Sequence, residues 1–279
     1  SAVENTYAAD AFFVAGGTLS ATAPSYVERA VDGILVGALL EGNYVYVLDT
    51  RQIGKSSLVT RAAESLRSHG IRVATLDLTR IGSNLSPPQW YMSLLARIDE
   101  SLRLGRACSR AYAEEQDRPP MERFFDVLEQ VALASDPSQL VIVIDEVDVV
   151  LSLPFSADEF FAGIRECFVR RATQSDLARL SFCLVGSASP ATLIRDVRIT
   201  PFNIGMRLEP TDFTLAELQP YASTLSASDR DGRGLVERVH YWTNGHPYLT
   251  QLLCNEISRD TAIRSSRDVD RLVDDLFLS

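Results

Sequence analysis

The sequence predicts an α/β fold: a parallel sheet with helices on both faces, followed by a small domain of helices alone. Apolar, β-branched runs alternate with helical periodicity from about residue 25 to 210, and beyond "PFNIGMRLEP" the strand-like runs stop. Strands separated by helices imply right-handed crossovers, which make neighbouring strands parallel and cover both faces of the sheet. A third observation agrees. "QLVIVIDE" (139–146) is apolar without alternation, as a strand buried on both faces must be. The expected divisions are an N-terminal segment (1–24), an α/β core (25–210) and a helical domain (211–279).

Taken in order, "NYVYVL" (43–48) is the first strand, bounded by "EG" and a polar loop. Residues 55–68 then place Leu58, Val59, Ala62, Ala63 and Leu66 at helical spacing, and Gly70 is suited to the C-cap. "IRVATLDL" (71–78) is a second strand, and Ser86 with Pro87 opens a helix as N-cap and N1. Helical spacing returns over 121–134, and the strand 139–146 ends in two carboxylates. A helix over 156–174 and a buried strand over 180–188 complete the alternation. Helices are expected at 214–226, 232–243, 247–259 and 267–277, the last with no stop signal, so a continuation is expected.

Composition narrows the function. No window approaches the ~18 uninterrupted apolar residues of a membrane helix, and "SAVENTYAADAFFVAGG" has no basic segment ahead of an apolar one, so the cytoplasm is the expected compartment. A net charge of -10 without a Lys/Arg run argues against nonspecific binding of nucleic acid. Cys108, Cys167, Cys183 and Cys254 are widely spaced, which suits reduced, buried thiols. His69, His240 and His246 are too scattered for a metal cluster.

The motifs lie on strand ends. "LDTRQIGKSSL" (48–58) follows a strand and opens a helix, and it matches the phosphate-binding pattern G-x-x-x-x-G-K-[ST] except that Asp49 stands at the first glycine. In such a loop, backbone N–H groups and the helix N-terminus surround a β-phosphate, a Lys reaches the β/γ oxygens and a Ser/Thr hydroxyl ligates Mg²⁺. Arg51, Gln52, Ile53, Gly54, Lys55, Ser56 and Ser57 make up that half of the motif. Asp tolerates unusual dihedrals, so Asp49 can take the glycine's place provided that its charge points away. In "VIVIDE", Asp145 suits Mg²⁺ coordination through water, and Glu146 suits activation of a water nucleophile. Arg195 and Arg198 are candidates to neutralise transition-state charge, with a local ion pair as the alternative.

Together, "FFVAGGTL" (12–19), "APSYVERAVD" (23–32), "RQIGKSSL" (51–58), "VATLDLT" with "PPQWY", "VIVIDEVD", "TPFNIG" (200–205) and "TNGHPYLTQLLC" (243–254) resemble the AAA-like domain of STAND ATPases. The resemblance is closest to the bacterial group found beside TIR, caspase-like or WD-repeat modules. It implies a P-loop NTPase core with a helical lid, and in that family the loop's first glycine is often absent. It further implies that Tyr26 and Arg29 lie in the segment against the adenine, that Pro247 packs on the base and that His246 reaches toward the phosphates of an ADP form. From the residues alone, Gly245-His246-Pro247 is a helix start. Ser187 or Ser189 falls where AAA-type ATPases place a polar residue between the carboxylates and the γ-phosphate, whereas many STAND proteins carry an Arg at that strand's end.

The resulting expectation is an ATP/ADP-binding, Mg-dependent and slowly hydrolysing switch in signalling or defence. Its hinge would lie near 206–214, and its partners would be effector or sensor proteins and further copies of itself. Adenine is favoured over guanine by the resemblance and by the lack of an N-K-x-D word. The alternatives are an ATPase that remodels or loads nucleic acid, and a non-catalytic protein-interaction scaffold.

Overall fold

The computed structural model describes residues 12–13, 19, 23–49, 53–194, 196, 198, 200–226 and 230–278. The chain forms two compact units: Val31–Arg51 with Leu58–Pro210, and Ser1–Ala30 with Gln52–Ser57 and Thr211–Ser279.

The larger unit is built on α1 (Ala30–Leu40), β1 (Val45–Leu48), α2 (Lys55–Ser68), β2 (Arg72–Asp77), α3 (Pro87–Leu102), α4 (Ala107–Glu114), α5 (Pro120–Val127), β3 (Leu140–Asp145), α6 (Asp158–Val169), β4 (Leu180–Gly186), α7 (Pro190–Leu193) and β5 (Met206–Arg207). The first residue of α1 and the first three of α2 group with the other unit. The five strands run in the order β2-β3-β4-β1-β5, every pair parallel. Asp77 sits opposite Asp145 at the carboxyl ends of β2 and β3.

Alternate strand residues feed two separate cores. Val45, Val47, Val141, Val143, Cys183 and Val185 pack with α1 and α2, while Leu140, Ile142, Ile144, Phe182 and Leu184 pack with α3 to α6. The unbroken apolar runs of the strands are thus explained, because both faces are buried. Gly70 ends α2 with φ +79, and the Ile71 N–H returns to the Leu66 carbonyl (3.1 Å). Gln89 Oε1 accepts the Ser86 N–H (3.0 Å) at the head of α3, where Pro87 is the first residue.

The amino-terminal ends of the strands are fastened by arginines that donate to backbone carbonyls. Arg72 reaches Ala132 O (2.8 Å) and Asp136 O (2.9 Å), and Arg179 also reaches Asp136 O (3.0 Å). Arg171 reaches Gly42 O (2.8 Å) and lies over the Tyr44 ring (4.5 Å). The carboxyl ends, where open α/β sheets bind ligands, are left to the motifs.

Asp99 is buried and receives the first N–H groups of α4: Oδ1 accepts Cys108 N (2.9 Å), and Oδ2 accepts Ser109 N (2.9 Å) and Oγ (2.7 Å). Burial raises its pKa, but the bonds from Ser109 and Cys108 outweigh it and hold the carboxyl below the ordinary carboxylate range. A depressed folded pKa contributes stability above the unfolded value and loses it as pH falls through the folded one. Asp99→Ala is therefore expected to destabilise by on the order of 2 kcal/mol at neutral pH, with the deficit shrinking in acid, as urea denaturation at several pH values would show.

The smaller unit packs α8 (Gln219–Leu225), α9 (Gly232–Thr243), α10 (Pro247–Arg259) and α11 (Ser266–Val273) around Phe213, Tyr221, Leu235, Leu253 and Ile257. Phe13 and Val27 join this core, with Phe13 edge-on to Tyr221 at 4.9 Å.

Several of the expected helices differ in extent or winding. The helix expected from 214 begins at Gln219, because the Glu217 carboxylate takes the Thr214 N–H (2.8 Å) and turns the chain first. The helix expected over 121–134 starts at Pro120 and changes at Leu128 to the wider π winding, which runs to Leu133. The helix expected over 156–174 keeps α geometry only over Asp158–Val169.

Candidate functional site

In the smaller unit, Ile53 is fully buried and anchors the loop ahead of α2. Gly54 has φ +74, and a Cβ there would meet nothing nearer than Arg29 Nη2 at 3.9 Å, so glycine is needed for the backbone angle rather than for space. Lys55 and Ser56 open α2, both half-buried, and no acidic residue in the first turn offsets the positive end of the helix. The Ser57 hydroxyl accepts the Leu19 N–H (2.9 Å). Arg51 and Gln52 lie outside the described residues.

Of the 27 Lys and Arg residues, Lys55 is the single lysine. Everywhere else the cation is a guanidinium, a planar fork; at the head of α2 it is a compact ammonium, the form that acts as a point charge on phosphate oxygens.

The segment before α1 is tied to the same unit. The Ser25 carbonyl accepts Tyr221 Oη (2.6 Å) and Gln251 Nε2 (2.9 Å), and Tyr26 is half-buried. Arg29 is buried; its Nη1 donates to Ile53 O (3.0 Å) and Thr211 O (3.1 Å), and its guanidinium lies 5.6 Å from the Phe213 ring centre. At the turn from α9 to α10, Asn244 (φ 49) and Gly245 (φ +76) are left-handed, and Gly245 O accepts the Phe213 N–H (2.8 Å). A Cβ on Gly245 would stand 1.9 Å from the Phe213 carbonyl oxygen, so the turn admits only glycine. His246 caps α10, its Nδ1 accepting Leu249 N (3.5 Å), and Pro247 follows, buried, as the first helical residue.

In the larger unit, Asp145 ends β3 and its Oδ1 accepts the Glu146 N–H (2.9 Å). Glu146 is left-handed (φ 54), a strained geometry for a residue with a side chain. Asp148, which the motif reading passed over, accepts the Ser187 N–H (2.7 Å) from the end of β4. Ser189 caps α7, its hydroxyl accepting Thr192 N (3.3 Å). Arg198 chelates Asp196 through Nε (3.0 Å) and Nη2 (2.8 Å), the local ion pair that was its alternative; Arg195 lies outside the described residues.

The thiols take no part. Burial pushes Cys108, Cys167 and Cys183 up to about 12 and raises Cys254 as well, so all four are protonated and free. Among the described residues, no group of three or more His, Cys, Asp and Glu is placed to hold a metal. Mg²⁺ keeps several waters and needs only one or two protein oxygens beside phosphate; a serine hydroxyl such as that of Ser56 and a carboxylate such as that of Asp145 are each oxygen donors of the kind it takes. Among the same residues, no helix is long and apolar enough to cross a membrane.

A glycine–lysine–serine turn that opens a helix after one central parallel strand, with an Asp-Glu pair ending another, belongs to the P-loop NTPase class of α/β proteins. Within it, residues 14–267 match the profile of the AAA-like domain, and the chain belongs to that family. An uncharacterised WD repeat-containing protein of Synechocystis sp. is 37% identical over 246 residues, 87% of this chain. The chain spans 21% of that relative's length. Among solved structures, a Walker-type ATPase of Pyrococcus abyssi aligns with TM-score 0.58 at 13% identity, over 93% of this chain and 75% of its own. The Aeropyrum pernix ORC1 protein in complex with DNA aligns with TM-score 0.56 at 12% identity, over 91% and 67%. The RuvB branch-migration motor of Thermotoga maritima gives 0.51 at 15%, over 91% and 71%. At these identities the likeness is one of fold.

Proposed function

We propose that this domain is an ATP-binding switch of the STAND type, with ADP holding a resting form, exchange for ATP allowing self-association, and slow hydrolysis returning the domain to rest. The observation that carries the reading is Arg29, whose one nitrogen bonds both Ile53 in the phosphate loop and Thr211 at the start of the helical lid. A change at the phosphates is thereby felt in the lid. The lone lysine supports a working site over a retained outline, and the WD repeats of the relative support protein partners.

In this mechanism the Lys55 ammonium and the head of α2 offset charge on the phosphates, with the Ile53–Ser57 backbone lining the loop. Ser56 and Asp145, the latter partly through water, would hold Mg²⁺, which supplies further positive charge when bound. Glu146 accepts the proton of the attacking water. Tyr26 and Pro247 flank the base, His246 answers to the phosphates, and Ser187 is the sensor. The hinge lies within 206–214, in the stretch after Leu208, because Met206–Arg207 pairs with β1 and the Leu208 N–H still donates to the Tyr46 carbonyl (2.9 Å).

Hydrogen exchange tests the reading. Helix α10 is expected to exchange differently with ADP and with a slowly hydrolysed ATP analogue, and Arg29→Met is expected to abolish that difference while lowering stability by on the order of 2 kcal/mol. Identical exchange with both nucleotides in the unsubstituted protein would refute the switch. A second reading, an ATPase acting on nucleic acid, has the fold likeness to the DNA-bound ORC1 protein behind it. The net charge of -10 weighs against it, and salt-dependent DNA binding would restore it.

A further inference from the structure

The tip of β4 is tied on both sides. The Gly186 carbonyl accepts the N–H of Asp49 (3.2 Å), the residue that leaves β1 toward the phosphate loop. The next amide, that of Ser187, donates to Asp148 Oδ1 (2.7 Å) in the turn after β3. Because β4 lies between β3 and β1 in the sheet, these two bonds link the start of the phosphate loop to the turn that carries Asp145 and Glu146.

The tie admits no side chain at its centre. A Cβ on Gly186 would stand 2.6 Å from Asp148 Oδ1 and 2.7 Å from Val147 Cγ1. Any larger residue at 186 would drive Asp148 from the Ser187 amide. A side chain at 186 and the Asp148 bond to Ser187 therefore compete for one space, and here the strand end is held by a carboxylate from the neighbouring turn. Two residues earlier, Glu146 keeps its left-handed backbone (φ 54) between the Asp145 carboxylate on its N–H and Val149 N–H on its carbonyl (3.0 Å).

We propose that Asp148 is a positioning residue for the terminal phosphate. By holding the Ser187 amide it fixes two things together: the tip of β4 with the Ser187 hydroxyl, and the turn that sets Glu146. This rests on the reading of the domain as an ATP-hydrolysing switch. The Asp148 charge itself is not required. Asparagine, which keeps an Oδ1 acceptor, serves in its place, and alanine does not.

The test compares Asp148→Ala and Asp148→Asn with the unsubstituted protein in three measurements: calorimetric affinity for Mg-ADP, affinity for a slowly hydrolysed ATP analogue, and kcat. The alanine variant is expected to bind ADP as the unsubstituted protein does, and to lose roughly tenfold in both kcat and preference for the triphosphate. The asparagine variant is expected to restore both. An alanine variant with unchanged preference and kcat, or an asparagine variant as impaired as alanine, overturns the proposal. Should the alanine variant fail to fold, slow exchange of the Ser187 amide by NMR in the unsubstituted and asparagine proteins supports the tie, and fast exchange sinks it. Failure of the unsubstituted protein to bind either nucleotide would refute the ATPase reading, and with it Asp148's role toward a phosphate; Ser187 exchange would then report on the tie alone.

Discussion

Lys55→Ala is expected to strip the protein of nucleotide, with affinity for Mg-ATP and ADP falling by at least about a hundredfold, the scale for removing a charge-assisted contact from a phosphate site. Lys55→Arg is expected to fall nearly as far, because the fork of a guanidinium does not substitute for a point charge in a loop closed around a phosphate. The check is to denature purified protein and identify released nucleotide by chromatography. ADP from the unsubstituted protein and none from either variant is the expected result. An unsubstituted protein that is empty, and that also fails to take up Mg-ATP, would mean that Asp49 marks a lost site and that the scaffold alternative holds.

Glu146→Gln is expected to leave ATP binding within about threefold and to cut hydrolysis by roughly 10²- to 10⁴-fold, the usual worth of a positioned general base. Glutamine keeps the size and the hydrogen-bonding oxygen, so the left-handed backbone at φ 54 persists while the base is lost. Phosphate release measures the first effect and light scattering the second: a protein held in its ATP form is expected to accumulate as oligomers. Unchanged phosphate release would remove Glu146 from the mechanism.

Much of this site could be read in the sequence because its residues lie at strand and helix ends, which periodicity locates well. Lys55 opens α2 and Pro247 opens α10 as the spacing requires, and Asp145 ends β3. Helix α1 was missed for a physical reason. "AVDGILVGALL" is apolar nearly all round and carries two glycines, so no polar face marks its turns, although Val31, Leu35 and Leu39 bury one side. Helix α4 was hidden by its cap. Asp99 lies nine residues before Cys108 and supplies the helix start from another element. Strand β5 has two residues, both exposed, and exists only through pairing with β1. Asp148 escaped for the same reason as Asp99: its partner, Ser187, is 39 residues away.

The arginines at the amino-terminal ends of the strands bear on how the protein meets acid. Surface pairs such as Arg118 with Asp126 (2.6 Å) fall apart once the carboxylate takes a proton. Arg72 and Arg179 also pair with the exposed Asp136 (3.9 Å) and Asp176 (3.3 Å), but their bonds and those of Arg171 to amide oxygens involve acceptors with no proton to gain, and a guanidinium does not lose its own. Acidification that neutralises the excess negative charge therefore leaves the floor of the sheet bolted, and loosens the protein first at its periphery.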